Sequence, residues 1–405
     1  MIRSLELAKG TSEHGHRVTL CFMHPAFHPP SFFVELMRRY ESQNLSIRSV
    51  RQLASSEHAP AQERPGRITE IRPRLRGLIK QILGSFWYLP YELKLFKEIG
   101  PDVVVARPDH ILSFVLSCRL RGIPLVLDTD GPVEELDYYW GVSSKWLRPI
   151  DTWRARRAQA ILYISDLCGA IWRGKAIPED RLFLCPNGAD PNVFKPLPPE
   201  AREEARRKWG LSGSIVIGFS GNQRKYHGVG NLLQAAIPLL REDPALKILV
   251  IGLIQDRAAL GLENIPHELL GERIVFTGSV NYADMPASID LVDIVVMPYP
   301  QLELFHFSPM KMFEALAMGK IIVASRQGQI ADFLSILDSA FLYDPDRPEA
   351  LTKAIQRGIT FFQSKAGDMN GRKMLIQKHT WLHRGEVVIT ACFGALRQKH
   401  GSFSD

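Results

Sequence analysis

Several quick assignments are closed off by what this chain lacks. It has only five cysteines in 405 residues, Cys21, Cys118, Cys168, Cys185 and Cys392. They are odd in number, scattered and form no C-x-x-C pair. That argues against a disulfide framework and a zinc site, and it fits a reducing cytosol. No apolar run approaches the ~18–20 residues that cross a bilayer. The opening stretch MIRSLELAKGTSEHGHRV has no apolar core of a signal peptide. Neither G-x-G-x-x-G nor a P-loop occurs, which weakens nicotinamide and NTPase readings. Charge of one sign is scarce too: 50 Lys+Arg against 43 Asp+Glu leave +7. No nucleic-acid-binding signature accompanies that mild excess, so no nucleic-acid partner is expected.

The composition, 45% hydrophobic and 23% charged, is that of a soluble globular protein. The length suits two domains of about 200 residues. Short β-branched runs alternate with helical patterns throughout, the signature of parallel sheets flanked by helices. Strands are expected over 18–23, 46–50, 102–106, 124–128, 160–164 and 181–185, with helices over 74–98, 111–121 and 149–158. A second, more regular series reads 214–219, 247–252, 273–277, 294–297, 320–324 and 340–343. The Pro-rich stretch 194–199, followed by a charged helix over 200–209, reads as the linker. Domains are therefore expected at 1–195 and 196–378, and a final helical segment at 379–405 that returns to the first domain. A doubly wound domain opens on a strand and a glycine-rich turn feeding its first helix. Here the chain opens inside that helix, over 2–13, so the first strand of the N-terminal domain is expected to be missing or to lie upstream.

Four segments carry candidate chemistry. In the first, over 307–319, Ser308 stands where an N-cap belongs, Pro309 at the first helical position and Gly319 at the end. A helix start is an anion site, Lys311 adds a full charge there, and Glu314 projects from the same side. A diphosphate beside the lysine and a ribose on the carboxylate would use this spacing; a capped helix with a local Lys–Glu pair explains it equally. The second, the loop 221–228, is bounded by Gly221 and Gly228 and carries Asn222, Arg224, Lys225 and His227. It reads as a phosphate cradle or as a plain strand–helix turn. In the third, Asn187-Gly188 makes a tight turn, with Phe194 plugging a hydrophobic hole near the linker. The fourth places Asp128, Asp130, Glu134 and Glu135 at the carboxyl end of a strand, where ligands bind in open sheets.

Together these segments resemble the retaining glycosyltransferases of family 4, with the two-Rossmann architecture called GT-B. The similarity is carried by Leu5-Glu-Leu-Ala-Lys with His14-Gly-His-Arg-Val-Thr, Pro186-Asn-Gly-Ala-Asp190 with Phe194, Phe219-Ser-Gly with Tyr226-His-Gly228, Lys378-His-Thr-Trp381 and, most specifically, Phe307-Ser-Pro-Met-Lys-Met-Phe-Glu-Ala315, an FSPxKxFEA form of the family's donor motif. The resemblance implies an α/β fold of two Rossmann-like domains facing an interdomain cleft. It implies that Ser308, Pro309 and Lys311 contact the donor diphosphate and Glu314 the ribose. Gly221, Asn222, Arg224, Lys225 and His227 would face the same phosphates, and the base would lie against the turn ending at Val280. The reaction implied is transfer from a UDP- or GDP-sugar to an acceptor hydroxyl, with retention and without a required metal or cofactor.

Departures are expected to matter. The family's E-x7-E pattern wants a glutamate where His306 stands, and a histidine often occupies the position of Asp130, which could still orient an acceptor hydroxyl. A catalytically degenerate sugar-nucleotide-binding or scaffold protein of the same fold is the alternative; a sugar-nucleotide epimerase fits the FSPxKxFEA match less well. The acceptor is expected to be a saccharide or lipid-linked, in cell-surface polysaccharide or glycolipid synthesis. The basic stretch from Arg64 to Lys80 and the aromatics Phe86, Trp87, Tyr88 and Tyr91 suit an anionic membrane surface, or a solvated helix face followed by core aromatics. The location expected is cytoplasmic, peripheral at the inner membrane face.

Overall fold

A computed structural model describes residues 1–22, 35, 37–49, 86–107, 112–139, 141, 143–221, 224–253, 261–347, 349–364 and 375–401. The chain divides into two compact units, one made of Met1–Pro186 and Trp381–Asp405, the other of Asn187–Thr380. The expected basic segment, Arg64 to Lys80, lies outside the described residues.

In the first unit, helix α1 (Ile2–Glu13) packs on a parallel pair, β1 (Val18–Phe22) and β2 (Leu45–Ser49). A second parallel sheet runs in chain order through β3 (Val104–Ala106), β4 (Leu125–Thr129), β5 (Ala160–Tyr163) and β6 (Leu182–Leu184). β4 and β5 are buried along their whole length. That is why β5, and β4 as far as Leu127, read as continuous apolar runs rather than alternating ones. Around them lie α2 (Leu89–Ile99), α3 (Ser113–Arg121) and α4 (Arg148–Arg157). The aromatics expected either in the core or at an interface are Phe86, Trp87 and Tyr91, all exposed, and Tyr88, half-buried.

The second unit holds β7 (Ile215–Ser220), β8 (Leu246–Ile251), β9 (Ile274–Gly278), β10 (Ile294–Met297), β11 (Ile321–Ser325) and β12 (Ala340–Tyr343). They form one parallel sheet in the order β12-β11-β10-β7-β8-β9. Chain direction across the sheet reverses between β7 and β10, so the crevice outside their carboxyl ends is a topological switch point. The helices covering this sheet include α5 (Pro199–Lys208), α6 (Val229–Glu242), α7 (Met310–Ala317) and α8 (Ala350–Gln363).

The division falls after Pro186, earlier than the Pro-rich stretch predicted as the linker. Backbone and core contacts explain the difference. The Ala189 amide donates to His379 O at 3.2 Å, and Phe194 is 1% exposed in the core of the second unit. The amide of Leu197 donates to Asp290 Oδ2 at 2.8 Å. The charged helix α5 is likewise anchored: Arg202 and Arg206 each reach Asp293 at 2.6 Å, and Arg206 is buried. Composition suggested a connector; these few anchors, in a stretch that is otherwise largely exposed, make it part of the second unit.

The last helix, α9 (Trp381–Gly401), packs on α1, β4, β5 and β6 of the first unit. A Cβ on Gly10 would lie 2.3 Å from Trp381 O, and one on Gly385 2.4 Å from the Gly10 carbonyl carbon. The two backbones thus cross in contact, which only glycine allows.

Candidate active site

Two loops leave the switch point, one after β7 and one after β10. They are joined by close backbone approach and by rings. A Cβ on Gly228 would lie 1.7 Å from Pro298 O, and φ there is 71°, so no other residue fits. Tyr226 stacks on Phe307 with centroids 5.6 Å apart and planes 10° from parallel. His227 meets Tyr299 edge-on at 5.8 Å, and Tyr299 meets Phe305 the same way at 5.3 Å. None of these contacts is visible in spacing alone. The aromatic letters were there, but nothing local says which rings meet.

Helix α7 follows the second loop. Ser308 was expected to cap it and Pro309 to open it; instead Pro309 is the N-cap, in extended backbone, with no side-chain cap hydrogen bond. Ser308 is engaged elsewhere. Its Oγ accepts from the Asn187 amide at 2.9 Å and its carbonyl accepts from Asn187 Nδ2 at 2.5 Å. A tertiary partner has therefore overridden the local capping rule, and it leaves the hydroxyl proton of Ser308 free to donate. Asn187 was read as a turn former only; its second role needed the fold.

Lys311 sits in the first turn of α7. Its Nζ is buried, has no hydrogen-bond partner among the described residues and lies 3.9 Å from the Phe219 ring centroid. A Cβ on Gly221 would come within 3.1 Å of Nζ, so the first glycine of the β7 loop gives this ammonium its room. The local hydrogen-bonded pair with Glu314 offered as the plain explanation is not made, although Glu314 is itself buried. Burial pushes the Lys311 amine down to about 7, opposed by the Glu314 charge. An unshared cation at a helix start, where backbone N–H groups have no intrahelical acceptor, is chemically incomplete without an anion.

The remaining expected residues fall as follows. Gly221 and His227 line the same place, while Arg224 is exposed. Asn222 and the side chain of Lys225 lie outside the described residues. Val280 is half-buried against the core. His306 is 1% exposed, with Nδ1 3.4 Å from Leu304 O and its ring 4.4 Å from Phe307. The expected carboxylate cluster of the first unit is dispersed among separate cations. Asp128 is buried in a two-pronged ion pair with Arg3, Asp130 is exposed and ion-paired with Arg107, and Glu134 lies 3.2 Å from Lys175. Glu135 instead opens a short helix over Glu135–Tyr139. Among the described residues, no group of three or more His, Cys, Asp or Glu side chains is placed to hold a metal ion, and no helix is long and apolar enough to cross a membrane.

A parallel α/β sheet whose strand order reverses between β7 and β10 defines the class as a Rossmann-like fold. Comparison with known proteins narrows it. Residues 3–193 match the family described as Glycosyltransferase Family 4, and residues 214–360 the one described as Glycosyl transferases group 1. The chain is 23% identical over 336 residues to a 2-deoxystreptamine glucosyltransferase of Streptomyces kanamyceticus, covering 79% of this chain and 80% of that one. It is 27% identical over 207 residues to the lipopolysaccharide core biosynthesis mannosyltransferase LpcC of Rhizobium leguminosarum bv. viciae, covering 50% of this chain and 55% of that protein. Among solved structures, Anabaena Alr3699/HepE in complex with UDP-glucose superposes with a TM-score of 0.69 at 16% identity, over 96% of this chain and 95% of the other. The two family matches together span most of the chain, and the protein is a glycosyltransferase of GT-B fold.

Proposed function

We propose that this protein transfers a sugar from a UDP- or GDP-sugar to a hydroxyl of a saccharide or lipid-linked acceptor. Retention of anomeric configuration is part of the proposal and rests on the likeness to family 4. The observation that carries the donor assignment is Lys311: a buried ammonium without a hydrogen-bond partner among the described residues, at the start of α7, beside Gly221. In transfer the sugar–phosphate bond breaks and negative charge develops on the leaving diphosphate. A fixed cation and aligned N–H groups stabilise that charge without reorganising. Charge supplied in this way asks for no metal, so we propose a metal-independent reaction. Ser308, its hydroxyl held by Asn187, donates to the same diphosphate, and Glu314 takes the ribose. Asp130, at the carboxyl end of β4, is proposed to orient the acceptor.

The name of one relative, the lipopolysaccharide core mannosyltransferase LpcC, favours cell-surface polysaccharide or glycolipid synthesis, and we place the enzyme in the cytoplasm at the inner membrane face. A catalytically degenerate donor-binding protein is the second reading, favoured by His306 lying buried beneath Phe307 where the family pattern has a glutamate. A thermal-shift screen with UDP, GDP and their sugars tests the donor assignment, because a ligand that binds only the folded state raises its midpoint. One of the two nucleotide series should raise the midpoint of the wild type and leave Lys311→Met unmoved. No rise with either would sink the assignment. Donor hydrolysis or transfer by the same sample separates the active reading from the degenerate one.

A further inference from the structure

Helix α4 in the first unit is built inside out. Its buried side holds Asp151 and Arg154, ion-paired at 2.5 Å, with Lys175 adding a contact to Asp151 at 2.9 Å. Its outer side presents Trp153, 40% exposed, with Arg156 and Arg157. Trp146, just before the helix, is 66% exposed beside Lys145. An indole in water forgoes the burial that a side chain of its size normally gains, and two in one short stretch of chain call for a cover.

Two hollows on this face share Pro149 and Trp153 as a common wall. One is apolar and is completed by Phe86, Leu112, Leu116 and Ile150. The other is basic, lined by Lys145, Arg148, Arg156 and Arg157. Arg148 is neutralised by Asp137 at 2.8 Å. Among the described residues the other three cations have no carboxylate partner: Arg156 and Arg157 reach only backbone carbonyls, at 3.4 and 3.3 Å, and Arg157 lies 4.1 Å over the Trp153 ring. Trp87, next to Phe86 in the chain, is 79% exposed.

We propose that this face docks on an anionic lipid surface. Trp146 and Trp153 enter the headgroup layer, where an apolar body with a polar N–H is at home. Lys145, Arg156 and Arg157 meet lipid phosphates, and the apolar groove takes the upper part of an acyl chain. A nucleic acid would satisfy the cations and leave the groove empty; a second protein chain would leave three like charges desolvated together. Apolar and cationic surface in one wall fits the interface of a charged bilayer. The proposal is independent of the donor site, since lipid binding is measured without nucleotide and on another unit.

The test is flotation of the full chain with phosphatidylcholine vesicles, with and without phosphatidylglycerol, following tryptophan emission. Wild-type protein should float only with the anionic vesicles, with a blue shift reversed by salt. The pair Arg156→Glu and Arg157→Glu should weaken binding by at least about tenfold. W146S with W153S should lose the blue shift while keeping the wild-type unfolding midpoint. Equal binding to neutral vesicles, or charge-reversed protein that floats like wild type, would overturn the proposal. So would a wild-type dimer in solution that W153S dissociates, because a second copy would then be the cover.

Discussion

Arg3 and Lys311 are both buried cations, one in each unit, and they are solvated in opposite ways. Arg3 donates to both oxygens of Asp128, at 2.7 to 3.2 Å, and to Cys185 O at 2.9 Å. Burial alone would weaken its hold on the proton, but Asp128 outweighs that and raises it above the ordinary arginine range. Lys311 has rings where Arg3 has oxygens, and its proton affinity drops until the amine titrates near neutrality. On the proposed function, the contrast separates a structural charge from a functional one. Arg3 is finished by the fold. Lys311 is kept in a state that only a ligand can finish, at a cost in stability.

Breaking the finished pair should have the larger effect on folding. Arg3→Leu leaves Asp128 buried and uncompensated, so unfolding in urea should show a loss of about 3–5 kcal/mol. Nucleotide affinity per folded molecule should be unchanged. Replacing Asp128 by leucine as well should recover most of the loss, as isosteric apolar replacement of a buried pair usually does.

The opposite pattern is expected of Lys311→Met. Nucleotide affinity should fall about 100-fold, since a charge-assisted contact in a dry site is lost. Its thermal midpoint should rise, by roughly 2–4 °C for each kcal/mol of desolvation relieved. A midpoint that falls would mean that Lys311 is stabilised by the fold, and the comparison with Arg3 would collapse.

A smaller effect should come from Asn187→Ala. It removes the Nδ2 bond to Ser308 O and keeps the amide bond to Oγ, a loss of about 1 kcal/mol. Donor KM should rise about fivefold, with little change in kcat. A change confined to the midpoint would reduce Asn187 to a structural role.

Much of this was legible in the chain itself. The strands over 294–297 and 340–343 coincide with β10 and β12, because short β-branched or aromatic runs bounded by turns leave little choice. Lys311 and Glu314 stand out because a local helix start supplies their context. What failed had long-range causes. Ser308 looked like a cap until Asn187, far off in sequence, claimed it. The stretch 194–199 looked like a linker because prolines and charges are normally solvated; the buried Phe194 ring and the Leu197 amide on Asp290 tie it to the second unit instead. On α4 the indole of Trp153 faces outward while Asp151 and Arg154 are buried as an ion pair, an arrangement that composition alone does not signal.

The central claim is that Lys311 waits for the donor diphosphate. A lysine titrating near 7 when free must be an ammonium when it holds that anion, so donor binding above neutrality should take up a proton. The sign follows: affinity is full below about pH 7 and falls above it, by up to about tenfold per unit until the bound-state value is passed. Calorimetry of UDP-sugar or GDP-sugar binding at pH 8, in two buffers of different ionisation enthalpy, measures that proton directly. The account predicts uptake approaching one proton for the wild type. Tight donor binding with no proton uptake at that pH would contradict it.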